Sequence, residues 1–178
     1  MNTINNKRKR DSQEKIENIF LDLIQTKEIS EISVTDICKI ANLNRTTFYS
    51  NYIDIYDLAD KIREKLESDV LHLYIDEHGY TYKNFLKLFK HIKDNQILYK
   101  TYFKLGFDKN PISSNYYHTL KNAHLYYDTD NVDYHIEFFK AGLNAIILKW
   151  LYNGCKESPE EMEEIIKLEY KKKELIIN

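Results

Sequence analysis

Glycine and proline are nearly absent: the 178 residues hold four of the first and two of the second. Turn-rich sandwiches and barrels need many more of both, so the chain is expected to be mostly helix. Cysteine is equally scarce. Cys38 and Cys155 lie too far apart in sequence to form a metal-ligand pair, and two thiols in a chain of this size fit a reducing cytoplasm. No run of eighteen apolar residues exists; the longest candidate, Ala145 to Tyr152, is broken by Lys149, so no membrane association is expected. The basic run Lys7 to Arg10 is followed by no apolar stretch, which argues against a signal peptide. Charge of one sign is missing as well. With a net charge of −2, bulk electrostatics offers no case for nucleic-acid binding, and any useful positive charge must be local.

What is present is apolar residues at helical spacing. Hydrophobic residues make up 43% of the chain and charged ones 30%, too apolar and too nearly neutral for disorder, and long enough to bury a core. Lysine, isoleucine, asparagine and tyrosine are abundant while arginine is rare, a bias of the kind A/T-rich coding produces; it discounts the tyrosines as a functional signal. Ile16, Ile19, Phe20, Leu23 and Ile24 predict a first helix from Asp11 to Gln25, with Asp11 and Glu14 at its start, where the helix dipole favours acids. Ser33 reads as an N-cap with Asp36 at N3, opening a short helix to about Ala41 that buries Val34, Ile37, Ile40 and Ala41. Asn44 caps another short helix, Arg45 to Tyr49. A long helix from Asp54 carries Ile55, Leu58, Ile62, Leu66, Val70 and Leu73 on one face.

After a break at Gly79, Tyr82, Phe85, Leu86, Phe89 and Ile92 mark a fifth helix, and Ile97 to Leu105 a sixth, stopped by Gly106. Ser114 to Tyr127 predicts a seventh. From Asp133 to Asn153 one stripe holds Ile136, Phe139, Leu143, Ile146, Ile147 and Trp150, and a second holds Phe138, Ala141, Ala145, Leu148 and Tyr152. A helix apolar nearly all round must be covered nearly all round. It is either a fully buried core helix or one whose second stripe meets another subunit. Ser158, Pro159 and Glu161 then open a last helix at N-cap, N1 and N3. Two such long helices can pair with their copies as a four-helix bundle. A homodimer is expected, with Phe138, Ala141, Ala145, Leu148, Tyr152 and Ile165 at its interface.

Two short helices joined by a tight turn within sixteen residues have the spacing of a helix-turn-helix, although an ordinary pair of core helices shares it. The second helix would present Arg45, Thr46, Thr47, Tyr49 and Ser50. Small hydroxyl side chains allow close approach to a major groove, arginine can bond guanine bidentately, and hydroxyls suit phosphate oxygens.

The stretch from Ser33 to Tyr52 resembles the TetR/AcrR family of bacterial transcriptional regulators, with Ser33-Val34-Thr35, Asp36-Ile37, Ala41-Asn42, Thr47-Phe48-Tyr49 and Tyr52 in the family's pattern. Asn42 replaces the usual turn glycine, which Asn's access to left-handed backbone permits. Asn51 stands where many members carry His, and Ile55 where a lysine is common. The resemblance implies that Asn44, Arg45, Thr46 and Thr47 begin a recognition helix, with Arg45 reading a base. It further implies that Thr35, Tyr49 and Asn51 touch phosphates, while Phe48 and Tyr52 hold the helix to its core. The region from Gly142 to Gly154, followed by Glu157 to Glu161, is similar to the C-terminal domain of a branch that includes activators of dihydroxyacetone kinase operons.

The expectation is an all-α chain of about nine helices. Residues 1–53 would form the helix-turn-helix DNA-binding domain with a basic N-terminal arm, and residues 54–178 a helical dimerisation and effector-binding domain. Its partners would be a double-stranded, palindromic DNA operator, a second copy, and a small-molecule effector of unknown identity. Tyr99, Tyr102, Phe103, Tyr116 and Tyr117 are the candidate effector pocket, though core packing explains such aromatics equally. Repression is the family default; an activator or co-regulator answering to a partner protein is the alternative. No phosphate loop, nucleophile elbow or zinc-protease motif occurs, so neither enzyme activity nor a cofactor is expected. The six histidines (72, 78, 91, 118, 124 and 135) include no i, i+4 pair, so no metal site is expected.

Overall fold

Among the described residues, helices account for nearly all of the regular structure. The computed structural model describes residues 4–73, 75–76, 79–80, 85–109 and 131–174, with side chains described for 6–73, 85–109 and 131–169. Its helices are α1 (Ile4–Ile24), α2 (Val34–Ala41), α3 (Arg45–Tyr49), α4 (Ile55–Leu73), α5 (Phe85–Asp94), α6 (Gln96–Lys104), α7 (Val132–Tyr152) and α8 (Pro159–Glu174). Short 3-10 turns occupy Ile29–Glu31 and Phe107–Lys109. Two two-residue strands, β1 (Ile75–Asp76) and β2 (Gly79–Tyr80), pair antiparallel with Ile75 opposite Tyr80. The expected helix at Ser114 to Tyr127 lies outside the described residues. The chain divides into two compact units, Met1–Leu66 and Glu67–Asn178, and the boundary falls within α4.

In the first unit α1 packs on α2 and α3. Ile16, Phe20 and Ile24 of α1 are buried, as are Ile37, Cys38 and Ala41 of α2, Phe48 of α3, Tyr52, and Ile55, Leu58, Ala59, Ile62 and Leu66 of α4. Two expectations are corrected here. Ile40 is 58% exposed. At 100° per residue it sits roughly 100° from the centre of the face formed by Val34, Ile37, Cys38 and Ala41, and Cys38 takes the core place assigned to it. The first helix also begins at Ile4, so Lys7 to Arg10 are exposed helical residues and not a separate arm. Lys and Arg are good helix formers, and nothing between Ile4 and Asp11 breaks the pattern. Asp11 and Glu14 therefore lie inside the helix, away from its dipole end.

In the second unit α5 packs on α8, and α6 contacts α5 and α7. Trp150 is the hub. Its indole is buried, meets Phe89 of α5 edge-on at 5.6 Å, and donates Nε1–H to the Glu157 carbonyl at 3.2 Å. Gly154 (φ 75°) and Cys155 (φ 50°) turn the chain after α7, with the Cys155 N–H returning to the Trp150 carbonyl at 2.9 Å. Ser158 then caps α8. The Glu161 N–H donates to Ser158 Oγ at 3.1 Å, while the Ser158 N–H donates to the Glu161 carboxylate at 2.7 Å, the reciprocal box read from the sequence. No helix among the described residues is long and apolar enough to cross a membrane.

Candidate nucleic-acid interface

The α2–turn–α3 element is built from three local devices. Ser33 caps α2: the Asp36 N–H donates to its Oγ at 3.1 Å, and its hydroxyl donates to the Asp36 carboxylate at 2.7 Å. That hydroxyl bond, chiefly, holds the Asp36 carboxyl below the ordinary carboxylate range. Asn42 ends α2 in the left-handed region (φ 54°, ψ 48°), where its neighbours would be strained. Asn44 caps α3 by accepting the Thr46 N–H at 3.2 Å.

Phe48 fixes the roll of α3. It is fully buried and packs against the Tyr52 ring at 5.4 Å. The Tyr52 hydroxyl donates to Glu17 of α1 at 3.0 Å, and Lys61 of α4 stands 5.3 Å from the centre of its ring. Burial, then the Glu17 carboxylate, pushes the Tyr52 phenol well above its ordinary range. Lys61 also donates to the Asn51 carbonyl at 2.8 Å and pairs with Asp57 at 2.9 Å, binding α4 to the end of α3.

With Phe48 and Tyr52 turned inward, the rest of α3 lies at or near the surface. Asn44, Arg45, Thr46 and Tyr49 are exposed, Thr47 is half-buried, and Thr35 is exposed near the start of α2. These six, all named from the sequence, make up the candidate interface. Its internal contact was not foreseen: Arg45 Nη2 donates to Thr35 Oγ1 at 2.7 Å. Ten residues separate the pair, so helical periodicity gives no hint of it. Asn51 departs from the role assigned to it. It is half-buried, its amide donates to the Thr47 carbonyl at 2.8 Å, and its side-chain oxygen is enclosed. It closes the C-terminal turn of α3 instead of facing outward, since an Asn amide can bond the carbonyl four residues before it.

The other candidate surfaces lie in the second unit. Phe138, Ala141, Ala145 and Tyr152 of α7 and Ile165 of α8 are exposed, and Leu148 is half-buried. Exposed Tyr134 and Leu168 extend this set. Tyr134 lies four residues before Phe138 and Leu168 three after Ile165, spacings that could have flagged both. Of the candidate effector residues, Tyr99 is buried with its hydroxyl 2.8 Å from His91 Nδ1. Tyr102 and Phe103 are half-buried and meet edge-on at 5.9 Å, and the Tyr102 hydroxyl donates to the buried carboxylate of Glu67 at 3.1 Å. Tyr116 and Tyr117 lie outside the described residues. Among the described residues, no three His, Cys, Asp or Glu side chains gather as a metal site would require.

Residues 80–168 match the family described as "Transcriptional regulator C-terminal region", the C-terminal domain of TetR-type proteins. Over 99 residues the chain is 31% identical to the HTH-type dhaKLM operon transcriptional activator DhaS of Lactococcus lactis subsp. lactis (strain IL1403). That match covers 56% of this chain and 51% of the relative, so the chain spans about half the length of the curated relative it matches. Two solved structures share the fold. The dihydroxyacetone kinase operon activator DhaS has a TM-score of 0.55 at 24% identity, covering 87% of this chain and 91% of that one. The fatty acid degradation regulator FadR from Bacillus halodurans has a TM-score of 0.64 at 13% identity, covering 87% and 92%. The match to the C-terminal region leads to one conclusion: this all-α chain belongs to the TetR family of transcriptional regulators, and its likeness in sequence to the operon activator places it near the DhaS branch.

Proposed function

We propose that this protein binds operator DNA as a homodimer and regulates transcription in response to an effector held by its second unit. The observation that carries the reading is the seating of α3: Phe48 is its buried anchor while Asn44, Arg45, Thr46 and Tyr49 are exposed around one arginine. Arg45 reads a guanine edge, Thr46, Thr47 and Tyr49 fit the groove and its phosphates, and Thr35 lies beside them. Lys7 to Arg10, exposed on the first turns of α1, add phosphate affinity that the chain's total charge conceals.

Dimerisation through α7 and α8 is supported by spacing. Tyr134, Phe138, Ala141, Ala145, Leu148 and Tyr152 follow one another at intervals of four, three, four, three and four, the seam of a left-handed helix pair. Small Ala141 and Ala145 at its middle permit close approach, and α8 adds Ile165 and Leu168. Two copies would then set their recognition helices on half-sites about 34–36 Å apart. Aromatic Tyr102 and Phe103 near the Glu67 carboxylate are the best-supported effector contacts, since they offer both an apolar body and polar handles.

The sign of regulation has a specific pointer. The relative matched at 31% identity is named an activator, which favours activation over the repressor default. The test selects preferred sites from a random duplex library with the full-length chain, then measures affinity against salt and against single-base changes. Arg45→Ala should lower discrimination at one base pair roughly 5- to 150-fold. Equal binding to all duplexes by the unaltered chain would overturn the reading. A reporter driven by the selected site then gives the sign.

A further inference from the structure

The bond from Arg45 Nη2 to Thr35 Oγ1, 2.7 Å long between two exposed side chains of different helices, is the one polar contact inside the candidate interface that joins α2 to α3 among the described residues. A guanidinium carries five N–H donors and presents two forks for a bidentate partner, one from Nε and Nη2 and one from Nη1 and Nη2. Both forks use Nη2. Whichever Nη2 hydrogen Thr35 accepts, one fork is spent and the other stays open. The hydroxyl that accepts from arginine keeps its own hydrogen for a phosphate oxygen.

From this we infer that Thr35 is a positioning residue for base recognition: its hydroxyl selects which edge of Arg45 meets the base pair. It thereby links the seating of α2 on the phosphate backbone to the reading by α3. The inference rests on the proposed role of Arg45 and extends it to a residue otherwise assigned only to phosphate. An unrestrained arginine at N1 of a helix samples many rotamers. One held across the turn offers a single fork in a single plane, which lowers the entropic cost of binding one base and leaves rival bases badly aligned. Two features keep the pair in reach: the left-handed Asn42, which sets the angle between the helices, and the Ser33 and Asn44 caps, which fix the two N-termini.

The test uses the full-length chain and the preferred duplex from library selection, alongside the same duplex altered at the Arg45-dependent base pair. Thr35→Val keeps the branched shape without the hydroxyl, and Thr35→Ser keeps the hydroxyl. The expected result is a roughly 3- to 10-fold loss of discrimination at that base pair in Thr35→Val, the scale of one net hydrogen bond. Thr35→Ser should restore it, and Thr35→Val should have no effect on discrimination once Arg45→Ala is present. Uniform weakening on both duplexes would overturn the inference and leave Thr35 a phosphate contact alone. Unchanged discrimination in Thr35→Val, with Arg45→Ala still relaxing it, would overturn the inference while sparing the role of Arg45. A wild-type preference that ignores Arg45→Ala would overturn both.

Discussion

Phe138→Ala should dissociate the proposed dimer, and the size of the effect follows from exposure. Phe138 is 71% exposed on α7. A phenylalanine has roughly 150–250 Å² to bury, so about 140 Å² remains available to a partner. At about 25 cal/mol per Å² this amounts to roughly 3.5 kcal/mol at full burial. Truncation to alanine keeps Cβ and allows some collapse, leaving about 2–3 kcal/mol per copy. A two-fold interface loses it twice, about 4–6 kcal/mol per dimer, which raises the dissociation constant on the order of 10³- to 10⁴-fold. Sedimentation across nanomolar to micromolar concentrations measures the shift directly. Ile40→Ala, which removes another exposed apolar side chain, from α2, is the control and should leave the proposed dimer intact. Wild type and Phe138→Ala sedimenting alike at every concentration would refute the assignment of this face to a second copy.

Three further outcomes follow from local geometry in both units. Ser33→Ala removes the cap of α2 and should lower stability by about 1 kcal/mol, read as a shift in the urea midpoint; no shift would mean that the cap bond is idle. Asn42→Ala puts a Cβ-bearing residue with no local polar group at φ 54° and should cost about 1 kcal/mol, whereas Asn42→Gly should be neutral or better. The carboxyls of Asp36, Asp57 and Glu161 are all held below their ordinary range. The causes, in turn, are chiefly the Ser33 hydroxyl, the Ile53 N–H and the Ser158 N–H. Their contribution is therefore present above the unfolded carboxylate pKa, near 4, and is lost as pH falls through the lower folded values. Urea midpoints measured from pH 6 to pH 3 should fall on the acid side; a flat profile would contradict the cap geometry.

The parts of this structure legible in the sequence are those fixed by neighbours within four residues. Ser33, Asn44 and Ser158 announce their helices because a cap is a contact between a side chain and a backbone N–H two or three positions away. Asn42 was readable as a left-handed turn for the same reason. The exposed stripe on α7 was readable because helical period and residue type suffice to draw it. The remaining features depend on contacts between distant parts of the chain. Ile40 is apolar and reads as a core residue, yet Cys38 holds the place because the angular position relative to α1 decides it. The basic run looked like an arm because no cap marks where α1 starts. Asn51 was assigned by likeness to a histidine-bearing pattern, and its shorter side chain turns back to Thr47. The Arg45–Thr35 bond spans a turn, so it follows from how two helices meet and not from any repeat.

Trp150 gives the molecule a built-in reporter. It is the single tryptophan of the chain and it lies in the second unit, buried, with its indole N–H bonded at the start of the turn into α8. Light absorbed at the red edge of the protein spectrum therefore excites one site, and the first unit is dark at that wavelength. An emission change on adding a small molecule reports on the C-terminal unit, without a dye and without substituting a residue. Anisotropy of a labelled duplex reads the proposed DNA contact of the first unit in the same cuvette. The order in which the two signals move on mixing would test the proposed coupling between an effector and DNA.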